Sequence, residues 1–211
     1  MKLALFAVAL VAVAPKPLAF DLKDPKGVNS VQWLMDSPLE PIAGKASEIS
    51  GTVVYDEEHP EKSTGKVVIQ AKSMEAPVAL MTQHMHGKDW LDVKTYPTMS
   101  FTVKKVQKGE TLAGSTAGVI TGDFKLHGVT KEITVPVEIR LVKGGLAAKM
   151  GGRMKGDVFR IRTEFRIKRS DYGVGEQFPS VGDEVELRCA FVGIRAEKQP
   201  GVAAKAATPK G

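Results

Sequence analysis

Apolar and polar residues alternate over long stretches of the chain. Every second residue is apolar or small in the segments 49–55, 99–103, 133–141, 159–167 and 185–191. A period of two predicts β-strands with one dry face and one wet face. A parallel sheet covered on both faces would give continuous apolar runs instead. The pattern therefore predicts antiparallel strands.

Turn residues separate these segments at short intervals, which predicts a meander of seven or eight strands. Such a sheet closes most easily as a barrel, because closure removes the exposed edges. The predicted fold class is all-β, an antiparallel barrel of about eight strands. The heavily charged outer face of 159–168 argues against an outer-membrane barrel. A barrel of this size is either filled by side chains or encloses one small ligand, and the pattern leaves both open.

One segment departs from the alternation. In Ser73–Lys88 four apolar residues recur at helical spacing, with Glu75 near the start and Gly87 near the end. This predicts a short helix, with Pro77 in its first turn, where proline is tolerated. A loop over Trp90–Tyr96 follows.

Prolines and glycines mark the other breaks. Two prolines predict that Asp36–Gly44 is irregular, after a short strand in Val28–Met35. Lys108–Gly109 predicts a turn. The Gly-rich, basic segment Lys143–Gly156 predicts a mobile hairpin connection or lid.

The N-terminus has the features of a secretory signal peptide. A lysine precedes the apolar run Leu3–Val13, which is too short to span a bilayer as a helix. We predict a signal peptide over residues 1–19, cut after Ala14 or Ala19, and therefore a periplasmic or secreted protein. The polar segment Phe20–Gly27 is expected to lead into the first strand.

The composition narrows the classes of function. The 211 residues carry a formal net charge of +6 and a single cysteine, so no internal disulfide is expected. Cys189 lies on an apolar strand face, where a small buried hydrophobe is expected. The charge favours a modest, transient contact with anionic membrane surfaces. Nucleic-acid binding is not expected, because no concentrated basic patch with aromatics is present. The tail 196–211 is expected to be disordered.

The sequence gives only weak evidence for a catalytic or a metal-binding site. His84, His86, Asp89 and Asp92 are suitable metal ligands, but their spacing matches no strong motif and a helix turns the two histidines apart. We therefore predict that no metal is bound and that His84 makes a hydrogen bond to a loop.

No triad signature surrounds a serine near Asp123 and His127. We expect Asp123 to fix a turn, and His127 to begin a tight connection between strands. The group Arg169–Asp171 is expected to make hydrogen bonds that hold a strand end. The chain is therefore predicted not to be an enzyme.

Three segments make the pattern specific: Thr82–Phe101, Gly122–Lys131, and Lys168–Gly173 followed by Val181–Val185. In this order and spacing the chain resembles the YceI-like family of exported lipid-binding proteins. The resemblance covers roughly residues 20–195. It implies an extended, lipocalin-like barrel with a helical segment. The chain departs from the family after the first strand, where Pro38 and Pro41 replace a His-containing amphipathic helix.

The resemblance also implies an elongated apolar cavity for a long isoprenoid chain, such as a polyprenyl or quinone-type lipid, bound as ligand and not as a catalytic cofactor. Gly118 and Gly122 are expected to leave room for it. The expected cavity-lining residues are Trp33, Val53, Met99, Phe101, Phe124, Leu126, Val135, Val137, Phe159, Ile161, Phe165, Leu187 and Phe191.

The sequence and the family resemblance leave three candidate functions. The favoured one is a carrier for an amphiphilic isoprenoid. The alternatives are a stress-related interaction module with a filled barrel, and a metal-dependent hydrolase. Exposed edges and the loop 143–156 are compatible with a homodimer.

Overall fold

The computed structural model describes residues 17–23, 27–37, 41–149 and 151–197. The predicted signal peptide up to residue 16, the tail beyond 197 and Pro38 lie outside these ranges. The strands are β1 Leu18–Asp21, β2 Ser30–Met35, β3 Ile42–Ala46, β4 Ile49–Tyr55, β5 Thr64–Gln70, β6 Met74–Glu75, β7 Thr98–Leu112, β8 Ser115–Leu126, β9 Val129–Val142, β10 Gly156–Lys168 and β11 Glu184–Ala196. Two short helices, α1 Ala79–His86 and α2 Gly145–Lys149, complete the list.

The sheet closes on itself as a barrel. Its neighbours follow the order β1, β4, β5, β7, β8, β9, β10 and β11, and β11 returns to β1 through the pair Asp21 and Ile194. All pairs are antiparallel, so the all-β barrel of about eight strands is confirmed. Strands β2, β3 and β6 continue from β11 and extend one end of the wall. In the part of the chain that the structure describes, no helix is long and apolar enough to cross a bilayer.

The long strands lie where alternation predicts them, and β2 lies within the short strand predicted over Val28–Met35, but β1 and β3 were not predicted. β1 begins at Leu18, inside the segment 1–19, and includes Phe20, whose polar surroundings predicted a lead-in. β3 occupies Ile42–Ala46, part of which was predicted to be irregular. Both strands are short and gain their order by pairing with longer partners, β4 for β1 and β2 for β3. Local alternation carries no signal for such pairing.

The predicted turn at Lys108–Gly109 is wrong. β7 runs through it to Leu112, and a register shift between Lys108 and Thr111 absorbs the irregularity as a β-bulge. The chain turns instead at Ala113 and Gly114, which both have positive φ. That is the signature of a two-residue hairpin turn.

The predicted helix over Ser73–Lys88 is too long. α1 covers Ala79–His86 only, and Met74 lies in strand β6, paired with Ala46. Pro77 therefore precedes the helix rather than lying in its first turn. The methionines at helical spacing still point the same way, because they face one cavity from two different elements.

The end of the barrel near the start of β10 is filled. The ring of Phe159 stacks on Phe20 at 5.0 Å between centroids and lies tilted against Tyr55 at 4.9 Å. Helix α2 covers β10 and β11 at this end, and its Leu146 is completely buried. The segment 143–156, predicted to be a mobile connection, thus contains a docked helix. We call this aromatic cluster of Phe20, Tyr55 and Phe159 the plug.

Candidate functional site

The opposite end of the barrel contains a partly open cavity of about 230 Å³. It lies between the ends of the long strands, the extension β2–β3–β6 and helix α1. All but two of its lining side chains are apolar. The lining residues are Trp33, Met35, Ile42, Met74, Ala76, Met81, His84, Met85, Trp90, Leu91, Met99, Phe124, Leu126, Ile167, Arg169, Val174, Val185 and Leu187.

The structure divides the predicted cavity residues into two groups. Five of them line the cavity together: Trp33, Met99, Phe124, Leu126 and Leu187. The other eight pack elsewhere in the core, six buried and two, Phe101 and Phe165, half-buried: Val53, Phe101, Val135, Val137, Phe159, Ile161, Phe165 and Phe191. As ligand contacts, all thirteen stay predictions.

The two glycines predicted to leave room do not line this cavity, although Gly118 borders a second, more open pocket of about 530 Å³. A Cβ at Gly122 would lie 2.7 Å from the ring of Phe101, so this ring already occupies the space. A Cβ at Gly118 would lie 2.9 Å from the carbonyl oxygen of Gln107. These glycines let β7 and β8 approach closely, and the cavity comes from another part of the barrel.

Most of the lining that alternation missed comes from short elements and loops. Trp90, Leu91 and Val174 lie outside any strand, and Met81 and Met85 lie on α1. Five of the chain's eight methionines line the cavity. Methionine is flexible and fills irregular apolar space, so its clustering is the signal that could have located this wall from sequence.

The three segments that carry the family resemblance meet at the rim of this cavity. Thr82–Phe101 supplies α1, the following loop and the start of β7. Gly122–Lys131 forms the β8–β9 turn, in which His127 and Gly128 both have positive φ. The ring of Tyr96 contacts the ring of His127 edge-on at 4.4 Å, and Nδ1 of His127 lies 3.1 Å from the carbonyl oxygen of Tyr172. His127 thus begins a tight turn, as predicted, and joins all three segments.

Arg169 organises the rim. It follows β10 in a 3₁₀ turn, Arg169–Tyr172, and is only 5% exposed. A guanidinium has five N–H donors. All five positions are matched by main-chain carbonyl oxygens of the loop that leads to β11, at 2.5–2.9 Å: those of Val174, Gly175, Phe178, Val181 and Gly182.

The same guanidinium lies over the ring of Trp90, 5.4 Å from its centroid, and Trp90 in turn stacks on Phe178 at 5.3 Å. Ser170 donates its hydroxyl and its main-chain N–H to Asp183, which holds the pKa of that carboxyl below its usual value. The prediction that Arg169–Asp171 holds a strand end by hydrogen bonds is therefore confirmed, and the loop it holds forms one wall of the cavity.

Helix α1 covers the cavity from the side. The hydroxyl of Thr82 donates to the carbonyl oxygen of Ala76 and accepts from its N–H, and Nε2 of His86 lies 2.8 Å from the carbonyl oxygen of Met74. His84 lines the cavity. The helix is thus fastened at both ends to the segment 74–76.

The candidate metal ligands do not come together in the ranges that the structure describes. No group of three or more His, Cys, Asp and Glu side chains is placed to hold a metal there. Asp123 lies within β8, where its carboxylate accepts from Lys104 at 2.6 Å, so its predicted role in a turn is wrong. Cys189 is buried, as predicted, and burial raises the pKa of its thiol to about 12.

Comparison with known proteins agrees with this geometry. The chain matches the YceI-like domain over residues 25–192. It is 29% identical over 155 residues to the protein YceI of Escherichia coli O157:H7, a match that covers 73% of this chain and 74% of that protein. The chain therefore belongs to the YceI-like domain family.

Solved structures show the same fold. Burkholderia cenocepacia BcnA superimposes with a TM-score of 0.63 at 23% identity, covering 78% of this chain and 95% of BcnA. A polyisoprenoid binding domain from Saccharophagus degradans superimposes with a TM-score of 0.60 at 13% identity, covering 86% of this chain and all of that domain.

Proposed function

We propose that this protein binds an isoprenoid lipid by burying one end of its apolar chain in the cavity at the α1 end of the barrel. The observation that carries the proposal is the almost wholly apolar wall around about 230 Å³ of space that is partly open to solvent. Membership of the YceI-like family and the structural likeness to a polyisoprenoid binding domain support the same ligand class.

The cavity volume limits how much of the lipid is enclosed. At about 30 Å³ per water-sized group, the cavity holds roughly eight methylene-sized groups. Their burial contributes about 0.8 kcal/mol each, or roughly 6 kcal/mol before the costs of association. As an upper limit, this means that a short probe binds no more tightly than a Kd between millimolar and micromolar. A chain of about forty carbons would need on the order of 1,000 Å³, so most of it would lie outside this space.

Neither Arg169 nor Trp33 offers a free donor to the head group of a ligand. The donors of Arg169 are fully used by the rim loop. Nε1 of Trp33 has almost no surface open to the cavity and has no hydrogen-bond partner among the described residues. These two side chains therefore contact the apolar chain of a lipid and do not select its head group.

Binding can be measured through the protein's own fluorescence. The chain has two tryptophans, Trp33 and Trp90, and both line the cavity. A benzoquinone with a short prenyl chain quenches indole emission on contact. We expect Ala76→Phe, which places a ring in the cavity, to weaken the affinity for this quinone by about tenfold or more, because the lost space removes several buried methylenes.

The matched control is Ala43→Phe, which adds the same ring to an exposed position of β3. It should bind the quinone as the unmodified protein does, and urea unfolding should show that both variants are folded. Equal affinities of Ala76→Phe and Ala43→Phe would refute binding in this cavity.

A further inference from the structure

The barrel wall is incomplete between β9 and β10. β10 pairs with β11 along its whole length, from Gly156 to Lys168, and β9 pairs with β8 from Val129 to Ile139. The pairs between β9 and β10, however, run only from Val142 and Val158 to Glu138 and Arg162. Beyond that point neither strand has a main-chain partner on this side. We call the unpaired stretch, residues 131–136 of β9 and 163–168 of β10, the slot.

Pro136 explains why the ladder stops there. Proline has no N–H to donate and is tolerated in strands only where pairing is absent. Its carbonyl oxygen accepts from the hydroxyl of Thr163 at 2.6 Å, so a side chain replaces the next main-chain bond. The two strands have no main-chain pairing beyond this contact.

Side chains alone close the slot. Phe165 of β10 contacts the ring of Phe124 edge-on at 6.3 Å. At the far end Lys131 bridges to Asp171 at 2.8 Å and lies over the ring of Tyr172, 5.8 Å from its centroid. Lys131 and Asp171 are both about half exposed, and an exposed ion pair contributes only about 0.2–1 kcal/mol.

The cavity meets the slot on the β10 side. Ile167 belongs to the unpaired part of β10 and also lines the cavity, and Phe124, against which Phe165 packs, forms part of the same wall. Ile133 of β9 is half-buried on the opposite bank. The slot thus has apolar banks and a weak ionic closure, whereas helix α1 is fastened by three hydrogen bonds.

We propose that the slot is a lateral portal, through which the isoprenoid chain enters the cavity between β9 and β10. The ion pair of Lys131 and Asp171 spans one end of the slot, and we call this ion pair the latch. This inference rests on the proposed function, since it describes how the same cavity is loaded.

The portal can be blocked covalently. In Ile133→Cys the new thiol is modified with a bulky maleimide, while native Cys189 stays unreactive because it is buried and its thiol pKa is about 12. Binding of the short-chain prenyl benzoquinone is then followed by stopped-flow tryptophan quenching. Leu112→Cys with the same label is the control, since Leu112 is 81% exposed on the β7–β8 hairpin at the other end of β8.

Blocking the route by which a ligand enters changes its association and dissociation rate constants but not its Kd. We expect labelled Ile133→Cys to lower the association and dissociation rate constants by about tenfold each, with Kd unchanged within about twofold. Lys131→Ala should raise both rate constants by about two- to fivefold, since it removes the latch. Labelled Leu112→Cys should match the unmodified protein.

Equal rates for labelled Ile133→Cys and labelled Leu112→Cys would overturn the portal and leave entry past α1. A raised Kd without slower association would also overturn it, because the label would then act on the site and not on the route. If the unmodified protein does not quench with the quinone at all, the proposed function itself fails, and the portal fails with it.

Discussion

Replacing Arg169 with alanine is expected to lower the free energy of unfolding by about 3–5 kcal/mol, the range seen when one partner of a buried charged network is removed. The guanidinium is 5% exposed and donates to five main-chain carbonyl oxygens of the rim loop. Without it these carbonyls lose their partners in a confined space, and Trp90 loses the cation that packs on its ring.

Lysine does not replace this arginine. It has three donors in place of five and no planar fork, so Arg169→Lys should still cost about 2 kcal/mol or more. The control is Lys168→Ala, an exposed neighbour whose loss should change stability by less than about 0.5 kcal/mol. Urea unfolding measures all three. A cost below about 1 kcal/mol for Arg169→Ala would show that the rim loop is held by other contacts.

Phe159→Ala is expected to destabilise the protein by about 3–5 kcal/mol, the usual cost of deleting a buried aromatic ring. Phe159 is 1% exposed and its ring lies between Phe20 and Tyr55 in the plug. Because Phe159 does not line the cavity, the folded fraction of the variant should bind the prenyl quinone with unchanged affinity.

Phe178→Ala is the matched control for the plug, since Phe178 is 36% exposed and stacks on one face of Trp90. It should cost about 1 kcal/mol. If Phe159→Ala were nearly neutral in stability but abolished binding, the plug would be part of a longer ligand channel, and the division of the barrel into a filled half and a hollow half would be wrong.

The sequence left open whether the barrel is filled by side chains or encloses a ligand. The plug at one end and the cavity at the other show that both descriptions apply, each to one half of the barrel. Alternation locates dry faces but does not say whether facing side chains meet across a barrel. Phe159 and Phe124 have the same pattern in sequence, yet Phe159 stacks in the plug and Phe124 borders empty space. The difference depends on what lies opposite each ring: Phe20 of a short strand that alternation did not reveal, or the loop and helix residues of the rim.

The fold was predictable because its long strands each show the period of two over many residues. The short strands were not, since β1, β3 and β6 exist only through their pairing partners. Only the part of the cavity wall that the strands supply could be predicted from sequence. Trp33 and Leu187 follow from strand alternation, whereas Val174 lies in a loop whose shape depends on one buried side chain, Arg169. Pattern alone gives no sign that an arginine is buried.

Pro136 is a sequence signal whose effect appears on the neighbouring strand and not on its own strand. It occupies a polar-face position of an otherwise regular strand, and its consequence appears on the neighbouring strand, where β10 loses its partner after Arg162. A proline within a central strand predicts that one side of that strand is unpaired. Here the stretch of β10 that loses its partner includes Ile167, which lines the cavity.

Solvent extraction of the purified full-length protein, followed by mass spectrometry of the extract, shows whether the barrel carries an isoprenoid. The unmodified protein and Ala43→Phe should both release a prenyl alcohol, prenyl phosphate or prenyl quinone, and Ala76→Phe should release markedly less of the same species. Extracts that contain no isoprenoid from any of the three, together with no uptake of added prenyl quinone, would contradict the account.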